Sequence, residues 1–411
     1  MNANGKSHLM GKVSAFFSPN KILFGVGAAN QVGSEAKAFG AKKVLIITDP
    51  GIKEAGLVEG IQSSLTSESI DVCLFDRVEL EPPVRVVDQC AELIRKEGYD
   101  LIIGLGGGSS LDTAKGAAVI APNQGKVLDY VGMDVVPKRG LPKILLPTTG
   151  GSGAEVTRVF AVTDEADQTK KVVYSHYILA DVVILDPVLT LSLPPKVTAE
   201  TGVDALVHAI ESYVSVNATP FSDVLAMEAI RLVSESLPVA YAKGEDIHSR
   251  YNMILAACMA GLSWASGGLG AAHGLAYVLE GAYHLGHARA VSIMLPHIMD
   301  YNRIGNLSKY GKVAEAMGEN VAGLSRHEAA TRSITAVKRL IESVGISTRL
   351  ADYGASEEDI PKLVEGSMKQ ARLFVPNPRN LTEDDMKGIY LKALNDKKAS
   401  PEKTYRVDDL S

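Results

Sequence analysis

The sequence predicts an α/β domain with a parallel sheet, followed by an all-helical domain. Three observations support this fold class. Short aliphatic runs alternate with helical periodicity over the first half of the chain. These runs are apolar at nearly every position, which is typical of parallel strands that helices cover on both faces. From Pro194-Pro195 onward such runs nearly vanish, and helical patterns replace them.

The predicted strands of the first domain are short, and each ends at turn residues or glycines. They are KVLIIT (43–48), DVCLFD (71–76), DLIIGLGGG (100–108), KILLPTT (143–149) and ADVVILDP (180–187). Between the second and third strands, VRVVDQCAELIRKEG (84–98) has helical spacing and ends at a glycine after basic residues. The order of strands and helices therefore indicates βαβ units and a parallel sheet.

The second domain is predicted to contain only helices. Its clearest helical patterns are SDVLAMEAIRLVSESL (222–237), SRYNMILAACMAGLSWA (249–265) and HEAATRSITAVKRLIESVG (327–345). We place the boundary where the pattern changes, which gives an α/β domain over residues 1–195 and a helical domain over residues 196–411. The last residues of the chain are polar and are expected to fray.

The composition limits the classes of protein. The chain has 411 residues, of which 46% are hydrophobic, and this length exceeds what one core usually supports. The net charge of −6 is spread without blocks, which argues against a nucleic-acid partner. The three cysteines form no close pair in sequence, so a disulfide framework is not expected.

No targeting segment is expected. The first residues lack the long apolar core of a signal peptide. The sequence contains no uncharged apolar run of about 18 residues, the length that a membrane span requires. We therefore predict a soluble, cytoplasmic protein that has no membrane partner.

Two glycine-rich turns follow predicted strands. GLGGGSSLDTAK (104–115) leaves the third strand and enters a helix, and PTTGGSGAEVT (147–157) follows the next strand. Glycines let the backbone approach a ligand, and a helix N-terminus attracts an anion such as pyrophosphate. Neither a G-x-G-x-x-G fingerprint nor a P-loop is present, so a tight turn without a ligand is the alternative. Two such turns at one edge of a sheet favour a nucleotide site.

Asp49 follows the first predicted strand. A carboxylate at this position can accept hydrogen bonds from a ribose 2′-hydroxyl and would repel a 2′-phosphate. The alternative is an aspartate that only forms the turn before Pro50-Gly51.

TGVDALVHAIESYV (201–214) places a carboxylate and an imidazole among apolar residues. Asp204 and His208 are four apart, so a helix presents them on one face. They are either a satisfied polar pair in a core or half of a metal site. Three imidazoles and one carboxylate would suit Fe²⁺ or Zn²⁺. The spacing alone does not select among the downstream histidines, which are His273, His284, His287 and His297.

Taken together, these motifs resemble the iron-containing (group III) alcohol dehydrogenase family. The matching segments occur in order: GGGSSLDTAK, TTGGSGAEVT, TGVDALVHAIESY, two histidines before LPHIMDYN, and the closing NPR. The resemblance extends from about residue 12 to about residue 395. It implies an architecture like that of dehydroquinate synthase, with the active site in the cleft between the two domains.

The resemblance implies a role for each candidate residue. Asp204, His208, His273 and His287 match the four metal-ligand positions of the family. Gly106, Gly107, Ser109 and Asp112 match its pyrophosphate-binding turn, Thr148 and Thr149 its second cofactor turn, Lys170 a lysine near the nicotinamide ribose, and Asp49 a position associated with preference for NAD over NADP.

The activity that the resemblance implies is a metal-dependent, NAD-linked alcohol dehydrogenase and aldehyde reductase. Hydride would pass between a small primary alcohol, or its aldehyde, and nicotinamide, and a substrate with an anionic group is one option. The metal would be Fe²⁺, with Zn²⁺ or another divalent ion as alternatives, and the assembly a homodimer or larger. The rival activities are a dehydroquinate synthase-like lyase and a maleylacetate-type reductase.

The chain departs from the family pattern near the third and fourth metal ligands. Many members have a histidine, credited with proton relay, where this chain has Tyr277. After His287 the usual glycine is Ala288, and Arg289 follows, as a solvated surface charge or an anchor for an anionic substrate. Trp264 aligns with a bulky aromatic position of the substrate pocket, and ordinary helix packing is its alternative.

Overall fold

The computed structural model describes residues 13–167 and 169–396. The expectations about a signal peptide and a frayed C-terminus concern segments that lie wholly or largely outside these residues. The strands are β1 (Lys21–Phe24), β2 (Lys43–Ile47), β3 (Asp71–Phe75), β4 (Leu101–Gly106), β5 (Gly132–Met133), β6 (Lys143–Pro147), β7 (Val159–Asp164), β8 (Thr169–Tyr174) and β9 (Val182–Leu185).

The helices follow the strands closely in the first half and replace them in the second. They are α1 (Val32–Ala38), α2 (Pro50–Glu54), α3 (Leu57–Ser67), α4 (Val84–Glu97), α5 (Gly108–Ile120), α6 (Pro195–Val214), α7 (Pro220–Ala242), α8 (Ile247–Gly267), α9 (Ala271–Tyr283), α10 (His287–Asn302), α11 (Leu307–Ala316), α12 (Arg326–Ser343), α13 (Ile360–Met368) and α14 (Glu383–Leu394).

A six-stranded sheet organises the first half of the chain. Its strand order is β1-β9-β6-β4-β2-β3. Every neighbouring pair is parallel. The five predicted strands are β2, β3, β4, β6 and β9, so the predicted fold class is confirmed. The edge strand β1 was not predicted.

Helices cover both faces of this sheet. Leu45 and Ile47 pack with α4 and α5 in one hydrophobic cluster. Ile46, between them, belongs to a second cluster with α1 and α3. Because successive side chains of a strand point to opposite faces, a strand buried on both sides must be apolar at every position. This requirement explains the continuous aliphatic runs in the sequence.

A second, three-stranded sheet was not predicted. Its order is β5-β8-β7, with β7 antiparallel to β8. β8 reads TKKVVY and has two lysines, and its first residue is exposed. The polar start of β8 and the partly exposed alternate positions of β7 interrupt the continuous burial that is typical of the large sheet.

The described part of the chain divides into two compact units, one that ends at Gly270 and one that begins at Ala271. The first unit holds both sheets and the helices through α8, and the second holds α9 to α14. The predicted domain boundary near residue 195 corresponds to the end of strand structure, since β9 ends at Leu185 and α6 begins at Pro195. That boundary stays a prediction. Among the described helices, no single one is long and apolar enough to cross a membrane, and one bent pair, α8 with α9, passes that test only jointly.

Candidate functional site

The two glycine turns lie side by side at the carboxyl edge of the large sheet. β4 pairs with β6 so that Gly106 stands opposite Pro147. The backbone N–H of Thr148 donates to the carbonyl of Gly106 over 3.0 Å. The Thr148 hydroxyl oxygen is buried and has no hydrogen-bond partner among the described residues. The edge therefore offers a polar side chain that the rest of the described chain does not satisfy.

The first turn requires glycine for two physical reasons. Gly106 has φ +147°, and a Cβ there would lie 2.7 Å from Cβ of Ser110. A Cβ on Gly107 would lie 3.3 Å from Cγ2 of Thr149 on the second turn. Helix α5 begins directly after this turn, and within the described chain no side chain caps its N-terminus. Its first N–H groups are therefore available to an anion.

Asp49 forms the turn, which is one of the two roles that the sequence left open, and its role toward a ribose stays a prediction. Its Oδ1 accepts a hydrogen bond of 3.2 Å from the N–H of Ile52, which caps α2. Its Oδ2 accepts a hydrogen bond of 2.9 Å from the hydroxyl of Ser110. A Cβ on Gly106 would lie 3.1 Å from the same oxygen. The carboxylate thus forms the turn and also borders the first glycine turn.

Asp112 contacts β7 and a lysine of its own helix. Its Oδ2 accepts a hydrogen bond of 2.9 Å from the N–H of Ala161 on β7. Its Oδ1 lies 2.8 Å from Nζ of Lys115, a fully buried lysine one turn along α5. The hydrogen bond from Ala161 joins α5 to the small sheet. The predicted role in cofactor binding stays a prediction.

Ser109 and Lys170 are linked through one residue, Glu81. The N–H of Glu81 donates to the Ser109 hydroxyl over 3.1 Å. Its carboxylate lies 3.8 Å from Nζ of Lys170 on β8. Sequence reasoning did not single out Glu81. Its φ of +50° is uncommon for a residue other than glycine and is the backbone feature that marks it.

The Asp204–His208 pair lies on α6, as the i,i+4 spacing predicts. Oδ1 of Asp204 and Nε2 of His208 are 3.7 Å apart, and both side chains are nearly fully buried. Oδ1 of Asp204 accepts no hydrogen bond within the described part of the chain. An ionised carboxylate in that position is costly unless a cation or a donor satisfies it. The ring of Trp264, on α8, stacks on His208 with centroids 5.6 Å apart.

His273 and His287 form a second pair, on α9 and at the start of α10. Their ring centroids are 5.3 Å apart. Tyr277, one turn after His273, has its ring 5.5 Å from that of His287. Nδ1 of His287 also lies 2.6 Å from Oε1 of Glu280, a residue that sequence reasoning missed. No sequence pattern pointed to Glu280.

The other two histidines have different surroundings. Nε2 of His297 donates to the carbonyl of Thr348 over 2.9 Å. Burial lowers the pKa of His297. His284 is exposed in the turn between α9 and α10. Asp204 and His208 on α6 and His273 on α9 are all buried.

Comparison with known proteins agrees with this geometry. Residues 19–187 match the family described as iron-containing alcohol dehydrogenase. Residues 198–394 match the C-terminal part of the Fe-containing alcohol dehydrogenase family. The chain belongs to the iron-containing alcohol dehydrogenase family. The predicted family and enzyme class are therefore confirmed.

Relatives across this alcohol dehydrogenase family differ in their named substrates. The chain is 42% identical to long-chain-alcohol dehydrogenase 1 of Geobacillus thermodenitrificans. The match extends over 369 residues, which are 89% of this chain and 93% of the relative. It is 38% identical to the NAD-dependent methanol dehydrogenase of Bacillus methanolicus, over 92% of this chain and 99% of the relative. The crystal structure of a 1,3-propanediol oxidoreductase superposes with a TM-score of 0.90 at 36% identity, over 93% of this chain and 100% of that chain. These findings agree with the predicted iron and NAD cofactors.

Proposed function

We propose that this alcohol dehydrogenase is metal-dependent and NAD-linked, and that it interconverts a small primary alcohol and its aldehyde. The observation that carries the proposal is the pair of glycine turns, which lie next to Asp49 at the carboxyl edge of a parallel sheet. Nucleotides bind at this edge in open α/β sheets. Family membership supports the same activity.

We propose Asp204, His208, His273 and His287 as the metal ligands. A buried carboxylate oxygen without a hydrogen bond in the described chain fits a cation. One oxygen and three nitrogens are a donor set that Fe²⁺ and Zn²⁺ accept. When bound, such a metal acts as a Lewis acid on the substrate oxygen. The protein contributes by holding these side chains in place.

The NAD site is proposed at the two glycine turns. The free N–H groups at the start of α5 would bind the pyrophosphate. Asp49 would accept hydrogen bonds from the ribose and disfavour a 2′-phosphate. The cofactor supplies the hydride chemistry, and the protein orients it. The proposed cofactor residues are Asp49, Gly106, Gly107, Ser109, Asp112, Thr148, Thr149 and Lys170.

Two aromatic residues beside the proposed ligands are expected to contact the substrate. Trp264 stacks on His208 and has a buried indole nitrogen without a partner in the described chain. Tyr277 lies beside His287. Arg289, two residues further along α10, has its guanidinium 6.0 Å from the ring of Tyr353. Arg289 is the residue that would bind an anionic group if the substrate carries one.

The test of the proposed function is NADH-linked reduction of a panel of short and long aldehydes. The full-length protein is stripped of metal and then assayed alone, with Fe²⁺ and with Zn²⁺. We expect turnover only with metal, and faster with NADH than with NADPH. NADH-linked turnover that needs no metal would favour a reductase of the maleylacetate type. Absence of turnover with every aldehyde, together with tight NAD binding, would favour a lyase.

Two further properties are part of the proposal. A homodimer or larger assembly, which light scattering would test, is expected from the family. A cytoplasmic location is supported by the three free cysteines, Cys73, Cys90 and Cys258.

A further inference from the structure

Glu280 makes a short polar contact with a proposed metal ligand. Its Oε1 lies 2.6 Å from Nδ1 of His287. The carboxylate side chain is 8% exposed and the imidazole 27%. The contact is therefore largely shielded from water, where an ionic hydrogen bond is stronger than at the surface.

The chemistry of this contact fixes which nitrogen of His287 can bind a metal. An ionised carboxylate can only accept a hydrogen bond, so Nδ1 must carry the proton. In the neutral ring this leaves the lone pair on Nε2, the form that binds a metal. A carboxylate that accepts from the second nitrogen of a metal-bound histidine also fixes the ring orientation and strengthens the ligand.

The position of Glu280 in the fold suits this role. It lies near the end of α9, and His287 is the first residue of α10. The turn between the helices includes His284, whose φ of +52° is strained for a residue other than glycine. A hydrogen bond across this turn holds the ring of His287 on the side of His273, 5.3 Å away between centroids. Loss of the carboxylate would remove the hydrogen bond that fixes the orientation of that ring.

We infer that Glu280 is a positioning residue that sets the tautomer and orientation of His287 for metal binding. The inference rests on the proposed metal site. It differs from a purely structural role of the Glu280–His287 contact, because that role would affect stability without a specific effect on metal affinity. It also differs from direct ligation, in which the Glu280 carboxylate would itself bind the metal.

The experiment is a Co²⁺ titration of the full-length, metal-stripped protein. The variants are Glu280→Ala and Glu280→Gln, and the matched control is Glu365→Gln, whose side chain is 75% exposed. We expect Co²⁺ to bind Glu280→Ala about 10- to 100-fold more weakly than wild type. The Co²⁺ affinity of Glu280→Gln should lie between those of wild type and Glu280→Ala. An amide oxygen still accepts a hydrogen bond from Nδ1, but it carries no charge. The control should bind as wild type does.

Two outcomes would overturn the role of Glu280 and leave the proposed metal site intact. One is wild-type Co²⁺ affinity in both Glu280 variants. The other is an X-ray absorption spectrum in which Co²⁺ loses an oxygen ligand in Glu280→Ala, since that would make Glu280 a ligand. Failure of the wild type to bind Co²⁺ would overturn the proposed metal site together with the role of Glu280, so the two failures are distinguishable.

Discussion

At the scale of single residues, the proposed metal site rests on polar groups buried in apolar helices. Asp204 is 4% exposed and His273 is fully buried. Oδ1 of Asp204 has no hydrogen-bond partner within the described residues, and a buried carboxylate oxygen in that state costs free energy unless a cation or a donor satisfies it. His297 shows the ordinary alternative, since a backbone carbonyl satisfies its ring.

His273→Ala should remove most activity and reduce bound metal, because one of the four proposed ligands is lost. Metal content per protein and NADH-linked turnover are measured on the purified variant. The control is His248→Ala, at an exposed histidine of α8. Circular dichroism should show that both variants are folded. Full, tightly held metal in His273→Ala would refute the ligand assignment.

Tyr277→Phe should retain much of its turnover. The variant keeps the ring beside His287 and loses only the hydroxyl. One hydrogen bond to a substrate corresponds to a loss of about tenfold. Steady-state turnover is compared with that of Tyr277→His, which introduces the residue common in the family and should also be active. A loss of a thousandfold or more in Tyr277→Phe, with metal and NAD still bound, would show that the hydroxyl itself handles the proton.

At the scale of elements, the edge that we propose for cofactor binding is built by three adjacent strands. β2, β4 and β6 are neighbours in the sheet, and each is followed by one of the proposed cofactor segments. Since parallel strands all end at one edge, residues far apart in sequence meet there. The hydrogen bond between Ser110 and Asp49 joins residues 61 positions apart. The register of the strands therefore decides which side chains can share one nucleotide.

Asp49 variants should weaken NAD relative to NADP. Asp49→Asn keeps an oxygen for the cap of α2 but loses the charge, and Asp49→Gly loses both. We expect the ratio of kcat/KM for NAD over NADP to fall about tenfold or more in each variant, which corresponds to roughly 1.4 kcal/mol. Asp49→Gly should lose only a few tenths of a kcal/mol in stability. An unchanged ratio in both variants would show that the residue serves the turn alone.

At the scale of the whole molecule, a buried carboxyl makes the free energy of unfolding depend on pH. Glu155 is 2% exposed and lies in the second glycine turn. Burial raises the pKa of this carboxyl to about 7, although the positive charge of Lys115 acts in the opposite direction. In the unfolded chain the same carboxyl loses its proton near pH 4.5. Between these values the folded protein holds one proton more, so its free energy of unfolding falls as pH rises.

Glu155→Gln should remove this dependence. The melting temperature of the variant minus that of wild type should increase from pH 5 to pH 8, with no further change at higher pH. The difference between the two pKa values corresponds to a change of roughly 3 kcal/mol in the free energy of unfolding. Thermal melts at several pH values provide the measurement, with Glu54→Gln, at an exposed residue of α2, as the control. Parallel profiles for wild type and Glu155→Gln would show that Glu155 does not titrate in this window.

The sequence by itself determined the parallel sheet, the two glycine turns and the Asp204–His208 pair. Each is a local pattern: a strand buried on both faces must be apolar throughout, and four residues make one turn of a helix. The tertiary structure alone decided the half-exposed sheet of β5, β7 and β8. It also decided the contact of Glu280 with His287, because a turn between two helices has no periodicity that sequence can reveal. Such contacts depend on how separate elements pack, and the spacing of residues in the sequence does not determine the distance between their side chains.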